Sequence, residues 1–310
     1  MKIGYFADGP WSHKAIERIL ESDLFEIVFI VPRYETQDPV LKQWAEKLDV
    51  PFIVTENVNS SEFIEQVKAY EAELFVSMSF NQILKEALIA LPPKGFINCH
   101  AGALPFYRGR NPLNWALING EEKFGITVHY IDQGIDTGDI IEQAFFQISP
   151  DDNYGSLLKV AIVGCAEVLI KALIGIKNNT AKALKQSDIH PVGTYFGMRR
   201  VGDEYLEFGW GAKRFHNFVR ALAIPGPEAR FFVGEVEYAL AKTSMIADAP
   251  NYIATEGEVV GRTHEGVVVK VGDSTLAMNL IREVSSGAAQ SKAFIPRFAI
   301  GTRLSGRSNR

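Results

Sequence analysis

Cysteine is scarce in this 310-residue chain: there are two, Cys99 and Cys165, and neither belongs to a Cys-x-x-Cys pair. Two such thiols cannot build a disulfide framework or a structural zinc site, and no metal is expected. Long apolar runs are missing too, with none approaching the ~18 to 20 residues that cross a bilayer. The N-terminal run Lys2–Phe6 ends at Asp8-Gly9-Pro10 without the basic flank or cleavage pattern of a signal peptide. A cytoplasmic location and no membrane partner are expected. A basic excess is also lacking, because 32 Lys and Arg stand against 37 Asp and Glu, a net charge of −5. That balance disfavours nucleic acid as a partner. The first strand leads into Ala7-Asp8-Gly9-Pro10-Trp11 rather than Gly-x-Gly-x-x-Gly, and no P-loop, His-Glu-x-x-His or Gly-x-Ser-x-Gly occurs. Dinucleotide, P-loop, zincin and serine-hydrolase chemistry therefore lack their signatures.

What is present is a chain that can fold. Apolar residues make up 47% and charged residues 22%, enough for a substantial core, and the length fits two domains better than one. The first half alternates β-rich runs (2–6, 26–31, 51–54, 74–78, 96–100, 126–131) with helical stretches at 11–22, 39–48 and 61–70. Such alternation predicts βαβ units and a Rossmann-like, mostly parallel sheet. Asn111-Pro112 opens a short apolar helix that Gly120 closes, and a long helix runs over about 155–176. Past residue 185 the pattern changes. After an irregular stretch come one helix (212–222), Pro225-Gly226-Pro227 and then only short β-like runs with Gly turns, which predict a small open OB-like barrel. The expected division is a catalytic domain over 1–185, a linker over 186–208 and a C-terminal β-barrel domain over 209–310. Five basic residues and no acid in the final twenty read as a solvated tail.

Chemistry concentrates in Gly95-Phe96-Ile97-Asn98-Cys99-His100-Ala101-Gly102. Side chains alternate along a strand, so Asn98 and His100 share one face while Cys99 turns away as a small buried hydrophobe. In an α/β sheet, groups just past the carboxyl end of a strand face the ligand crevice. An amide N–H₂ beside an imidazole supplies what acyl transfer to an amine needs: a donor for the developing oxyanion and a base for the proton the amine loses. An Asn and a His there also serve loop backbone, and these two residues alone leave both readings open. A second constellation, Asp132-Gln133-Gly134-Ile135-Asp136-Thr137-Gly138-Asp139, has glycines that make a tight turn rather than a calcium loop. One of its carboxylates could orient His100, and Asp136 is the choice, though spacing does not single it out.

These segments, continued through Tyr107-Arg108-Gly109, Asn111-Pro112, Trp115–Gly120, Gly125-Ile126-Thr127 and Gly134–Ile140, closely resemble the folate-dependent formyltransferase family, in one register over about 45 residues. The resemblance implies a Rossmann-like catalytic domain with a C-terminal barrel and catalytic roles for Asn98, His100 and Asp136. It implies 10-formyltetrahydrofolate as co-substrate, with its pterin near Met78, Phe80, Ile83, Leu84, Asp132 and Ile135. It also implies direct transfer without a covalent enzyme intermediate.

The acceptor is read from departures within that family. The branch that formylates methionyl-tRNA carries a basic loop after the second strand and a positive C-terminal domain; here Pro32–Val40 is short and net negative, and residues 191–290 are slightly acidic. The stretch Tyr195-Phe196-Gly197-Met198-Arg199-Arg200 looks like the sugar-nucleotide branch, in which Arg199 and Arg200 would suit a diphosphate. Tyr107 and Arg110 join them as expected substrate-binding residues. The expected function is formylation of the exocyclic amine of a nucleotide-linked amino deoxysugar for surface polysaccharide or a related glycan, with folate and nucleotide sugar as small-molecule partners and room for a homodimer. The alternatives are methionyl-tRNA formylation and, from another class, an inactive folate-binding module.

Overall fold

A computed structural model describes residues 1–284 and 291–306. In chain order the elements are β1 (Lys2–Ala7), α1 (Gly9–Leu20), β2 (Glu26–Pro32), α2 (Pro39–Leu48), α3 (Ser61–Lys68), β3 (Leu74–Met78), α4 (Glu86–Ile89), β4 (Phe96–His100), β5 (Arg108–Gly109), α5 (Pro112–Ile118), β6 (Lys123–Tyr130), β7 (Ile140–Gln147), α6 (Tyr154–Lys177), α7 (Gln186–Ile189) and β8 (Tyr195–Phe196). They continue as α8 (Ala212–Ala221), β9 (Ala229–Val233), β10 (Val236–Met245), β11 (Val259–Thr263), β12 (Gly266–Lys270), β13 (Thr275–Glu283) and β14 (Leu304–Ser305). Among the described residues no helix is long and apolar enough to cross a membrane.

The chain divides into two compact units: Met1–Pro112 with Lys123–Gln147 and Lys159–Gly197, and Leu113–Glu122 with Ile148–Leu158 and Met198–Arg310. The first holds a six-stranded sheet in the order β2-β1-β3-β4-β6-β7. Strands β1 to β4 run parallel, as their intervening helices require, whereas β6 and β7 are antiparallel additions. All five residues of β3 are buried, which is the signature of a strand covered on both faces. An aromatic core made of Phe6, Phe29, Phe63, Phe75 and Phe96 packs on this sheet, with Phe6 and Phe96 centroids 4.9 Å apart. Gly4 makes room for it, since a Cβ there would lie 2.3 Å from the Phe29 ring.

Local chemistry sets the helix starts. The Asp38 carboxylate accepts from the amides of Val40 and Leu41 while Pro39 fills the first turn of α2, and Ser60 accepts from the Phe63 amide at the head of α3. The expected strand over 51–54 is reduced to a single bridge between Ile30 and Phe52, because Pro51 has no amide to offer the ladder. The stretch read as a linker contains α7 and β8, and the boundary between the units falls at Gly197 and Met198.

The second unit is an antiparallel sheet in the order β11-β12-β13-β10-β9-β14, curled so that a bridge between Glu258 and Arg303 brings its ends together. Amphipathic α8 covers it, burying Phe215, Phe218 and Val219 against Phe231, Val267, Leu276 and Ile281. The Rossmann-like sheet and OB-like barrel expected from the sequence are both present. The final basic stretch is not all solvated tail: Arg297 donates to the carbonyls of Thr263 and His264, and Arg303 lies 3.9 Å from Glu258. Arg307 to Arg310 lie outside the described residues.

Candidate active site

Asn98 and His100 leave β4 on one face, and the antiparallel register of β6 sets His129 directly opposite Asn98 and Thr127 opposite His100. Strand direction decides this pairing, and it assembles a polar cluster within the first unit. Asn98 Nδ2 lies 3.3 Å from His129 Nε2. Asp136 Oδ2 lies 3.7 Å from His100 Nδ1, and its Oδ1 lies 3.6 Å from His129 Nε2. The Gly109 amide donates to Asp136 Oδ2 at 2.9 Å. Of the three carboxylates in the loop, Asp136 is thus the one brought to His100 and His129. Asp132 instead accepts from the Gly134 amide and the Thr137 hydroxyl, building the turn, and Asp139 offers its backbone carbonyl to Tyr130.

Burial works against the charge on Asp136, but the facing His100, the neighbouring His129 and the Gly109 amide outweigh it and hold the carboxyl far below the usual aspartate range. Asp136 is therefore ionised at neutral pH. The partners fix the tautomers. His100 Nε2 meets the Tyr107 carbonyl at 2.7 Å, and a carbonyl has no proton to give, so Nε2 carries the hydrogen and Nδ1 faces Asp136. By the same reasoning His129 Nδ1 donates to the Tyr130 carbonyl at 2.7 Å. In the neutral ring, Nε2 is then free to accept from Asn98. That leaves one amide hydrogen of Asn98 without a partner among the described residues, and it is the free donor of the cluster. His100 Nε2 is committed to the Tyr107 carbonyl, while Nδ1, 3.7 Å from Asp136, makes no hydrogen bond.

The loop after β4 is pinned from below. Buried Thr127 donates its hydroxyl to the Gly102 carbonyl at 2.7 Å, and Gln143 donates to Thr127 Oγ1 and to the Leu104 carbonyl. Gly102 is required by close approach, since a Cβ would stand 2.5 Å from His100 Nε2 and 2.7 Å from the Tyr107 carbonyl. The Tyr107 ring stacks on Phe196 at 5.0 Å, and the Arg110 amide donates to the Phe196 carbonyl while its side chain is exposed.

The residues expected around a pterin separate into two kinds. Ile83 and Ile135 are 82% and 57% exposed, and a hydrogen bond from Gln133 to Glu86 ties the Ile135 loop to α4, near Ile83. Phe80 and Leu84 are half-buried against the aromatic core, whereas Met78 is only 1% exposed, because every position of β3 is covered. Arg199 and Arg200 lie in the second unit. The Arg199 guanidinium donates to the Asp203 carbonyl and sits 5.3 Å over the Phe218 ring, while Arg200 is exposed and uses its amide on the Asp203 carboxylate. Among the described residues no cluster of His, Cys, Asp and Glu could hold a metal. Cys99 is buried, its thiol 3.7 Å from the Cys165 carbonyl.

Sequence reasoning missed His129, Thr127 and Gln143. All three fall on period-two positions of their strands, so alternation could have flagged them once β6 and β7 were known to be antiparallel.

An α/β unit with an amide, two imidazoles and a carboxylate at a strand mouth, followed by a curled antiparallel sheet, is the two-part build of an enzyme that transfers a formyl group. The chain belongs to the formyl transferase family: the formyl transferase model matches residues 1–173 and the formyl transferase C-terminal domain model matches residues 200–298. It is 31% identical over 310 residues to the methionyl-tRNA formyltransferase of Acetivibrio thermocellus, covering 97% of this chain and 98% of that one. It resembles the solved structure of an N-formyltransferase from Helicobacter canadensis in complex with folinic acid and dTDP-3-aminofucose, with a TM-score of 0.68, 20% identity, and 95% and 100% of the two chains covered. It is also similar to the sugar 3N-formyl transferase WlaRD, solved with dTDP and 5-N-formyl-THF, at a TM-score of 0.69 and 22% identity over 93% and 99% of the chains.

Proposed function

We propose that this enzyme moves the formyl group of 10-formyltetrahydrofolate to the exocyclic amine of a nucleotide-linked amino deoxysugar. The observation that carries the chemistry is the uncommitted amide hydrogen of Asn98 beside ionised Asp136 and the Nδ1 atom of His100. Folate supplies a formyl carbon already activated on nitrogen, and exposed Ile83 and Ile135, with half-buried Phe80 and Leu84, suit the faces of its pterin ring. The acceptor nitrogen bonds to the formyl carbon while the carbon–N10 bond breaks. Asn98 donates to the oxygen as it becomes anionic. The proton lost by the amine passes to His100 Nδ1, where Asp136 stabilises the imidazolium, and from there to the departing folate nitrogen.

The sugar acceptor is favoured by electrostatics. Residues 1–190 hold 17 basic and 25 acidic side chains, a balance of −8, which repels a polyphosphate strand. The turn after β2 offers one cation, Arg33, and it is consumed internally by the Ser79 carbonyl and hydroxyl and by Asp8 at 3.4 Å. Tyr107 and Arg110, in the first unit, are residues proposed to hold the nucleotide sugar. Methionyl-tRNA as acceptor is the second reading, favoured by the name of the 31% identical relative.

The test is incubation with 10-formyltetrahydrofolate and either a panel of nucleotide amino sugars or charged initiator tRNA, followed by mass spectrometry. Gain of one formyl group on a nucleotide sugar is expected. Formylation of the tRNA alone overturns the choice of acceptor, and formylation of neither overturns the transfer.

A further inference from the structure

Asp136 sits in an improbable backbone state, and something must hold it there. Its φ is +52°, in the left-handed region that a side-chain-bearing residue adopts at a cost. The carbonyl of Asp136 and the carbonyl of Gly138 are both gripped, each at 2.8 Å, by the side-chain amide of Gln186 at the head of α7. Gln186 is 3% exposed. Its Oε1 in turn accepts from Arg108 Nε at 3.0 Å and from the second guanidinium nitrogen at 2.8 Å, while the third nitrogen donates to the Val192 carbonyl. Every hydrogen and lone pair of the Gln186 amide is therefore used: two N–H to two carbonyls, and one oxygen to two N–H.

The position of Arg108 gives this clamp its reach. The residue before it presents the carbonyl that meets His100 Nε2, and the residue after it presents the amide that meets Asp136 Oδ2. Strand β5, which is only Arg108 and Gly109, pairs with β8. A single side-chain contact thus ties the backbone of Asp136 to the segment that orients both Asp136 and His100.

We infer that Gln186, locked by Arg108, is a positioning residue for formyl transfer: it sets Asp136 and His100 against each other without touching substrate. The inference rests on the formyl-transfer reading for its kinetic consequence, but its structural content can be measured separately. A loss of register of about 1 Å at a reacting group can cost up to about a hundredfold in rate.

The test uses the full chain and two substitutions. Gln186→Met keeps the volume and removes both sets of hydrogen bonds. Gln186→Glu keeps an oxygen for Arg108 but turns the two carbonyl donors into an acceptor, so a purely structural role for the Arg108 contact would leave it active. Both variants are expected to fall about tenfold to a hundredfold in kcat, with KM for folate and for acceptor within about twofold of the parent. In parallel, ¹³C NMR at neutral pH follows the Asp136 carboxyl, assigned by its loss in Asp136→Asn; its chemical shift is expected to change in Gln186→Met as the carboxylate leaves the Gly109 amide and His100. An inactive parent enzyme would sink the transfer reading and leave the NMR result to judge the clamp. An unchanged Asp136 carboxyl shift in folded Gln186→Met, or a Gln186→Glu enzyme with parental kcat, overturns the clamp.

Discussion

Two polar clusters lie on the same sheet, and they are built in opposite ways. At the ends of β1, β2 and β3, the natural switch point of a parallel sheet, the polar groups satisfy one another. Asp38, 6% exposed, accepts from the Gly9 amide at 2.8 Å, from His13 Nε2 at 2.8 Å and from two amides of its own helix, and Asp8 is met by Arg33 and by the Thr36 hydroxyl. A carboxylate already occupies the head of α1, where an anionic ligand would otherwise be favoured. Where β4 pairs with β6 the reverse holds: the groups are held by backbone atoms and by Gln186, and a donor is left over. The first cluster is a stitch that joins α1 to α2. The second is a tool. The difference lies in whether the neighbours of a polar group exhaust its hydrogen-bonding capacity or only orient it.

The sharpest way to break this contrast is Asn98→Ala. Loss of the one free donor is expected to lower kcat by about 10²- to 10³-fold with folate binding retained, measured by formyl transfer and by equilibrium titration with the folate. Near-parental turnover would end the assignment. Gly102→Ala comes next. Its Cβ displaces the His100 ring from the Tyr107 carbonyl, and a loss of about tenfold to a hundredfold in kcat is expected from the same assay.

The other cluster should answer in stability instead. Asp38→Ala removes a cap and a link between two helices, and is expected to cost about 1 to 2 kcal/mol, seen in denaturant unfolding, while kcat stays within about twofold. A catalytic defect of tenfold there would erase the distinction between the two sites.

The smallest effect is in acid. Both Asp38 and Asp136 titrate below the ordinary range: burial opposes their ionisation, but at Asp38 the Gly9 amide and His13 prevail, as His100 and His129 do at Asp136. The unfolded chain therefore takes up protons first, near pH ~3.9. Stabilisation from each carboxylate is complete above that pH and is lost as the pH falls toward the folded value. Asp136→Asn and Asp38→Asn should each flatten the decline of Tm between about pH 4 and 2 relative to the parent. Thermal unfolding across that range checks the sign.

Much of this was legible in the sequence where local chemistry decides. Helix α2 begins at Pro39 and ends at Leu48 as read, because an Asp cap, a Pro in the first turn and helical apolar spacing all agree. Strand β9 matches its reading from Ala229 to Val233, and β4 from Phe96 to His100. The pairing of Asn98 with His100 on one face also followed from alternation. The rest depended on which distant strands meet. His129 is written in the sequence as one more residue of an apolar run, and only the antiparallel direction of β6 turns it toward Asn98. Gln186 and Arg108 are 78 positions apart, and their stretches carry no shared signal, so the region of Gln186 read as a linker. Met78 shows the converse. Its apolar character suited a pocket, but a strand covered on both faces leaves it no surface to offer.

The register between β4 and β6 has a further meaning for how this chain can change over time. Because the two strands meet through a long excursion rather than a tight hairpin, residues can be gained or lost in that excursion without altering the pairing. A shift of the pairing by a single place, however, would point His129 at the opposite side of the sheet and strand Asn98 beside Val128 or Tyr130. Change is thus closed at the strand alignment and at Gly102 and Tyr107, Arg108 and Gly109, which set His100 and Asp136, and is open only in the rest of the excursion.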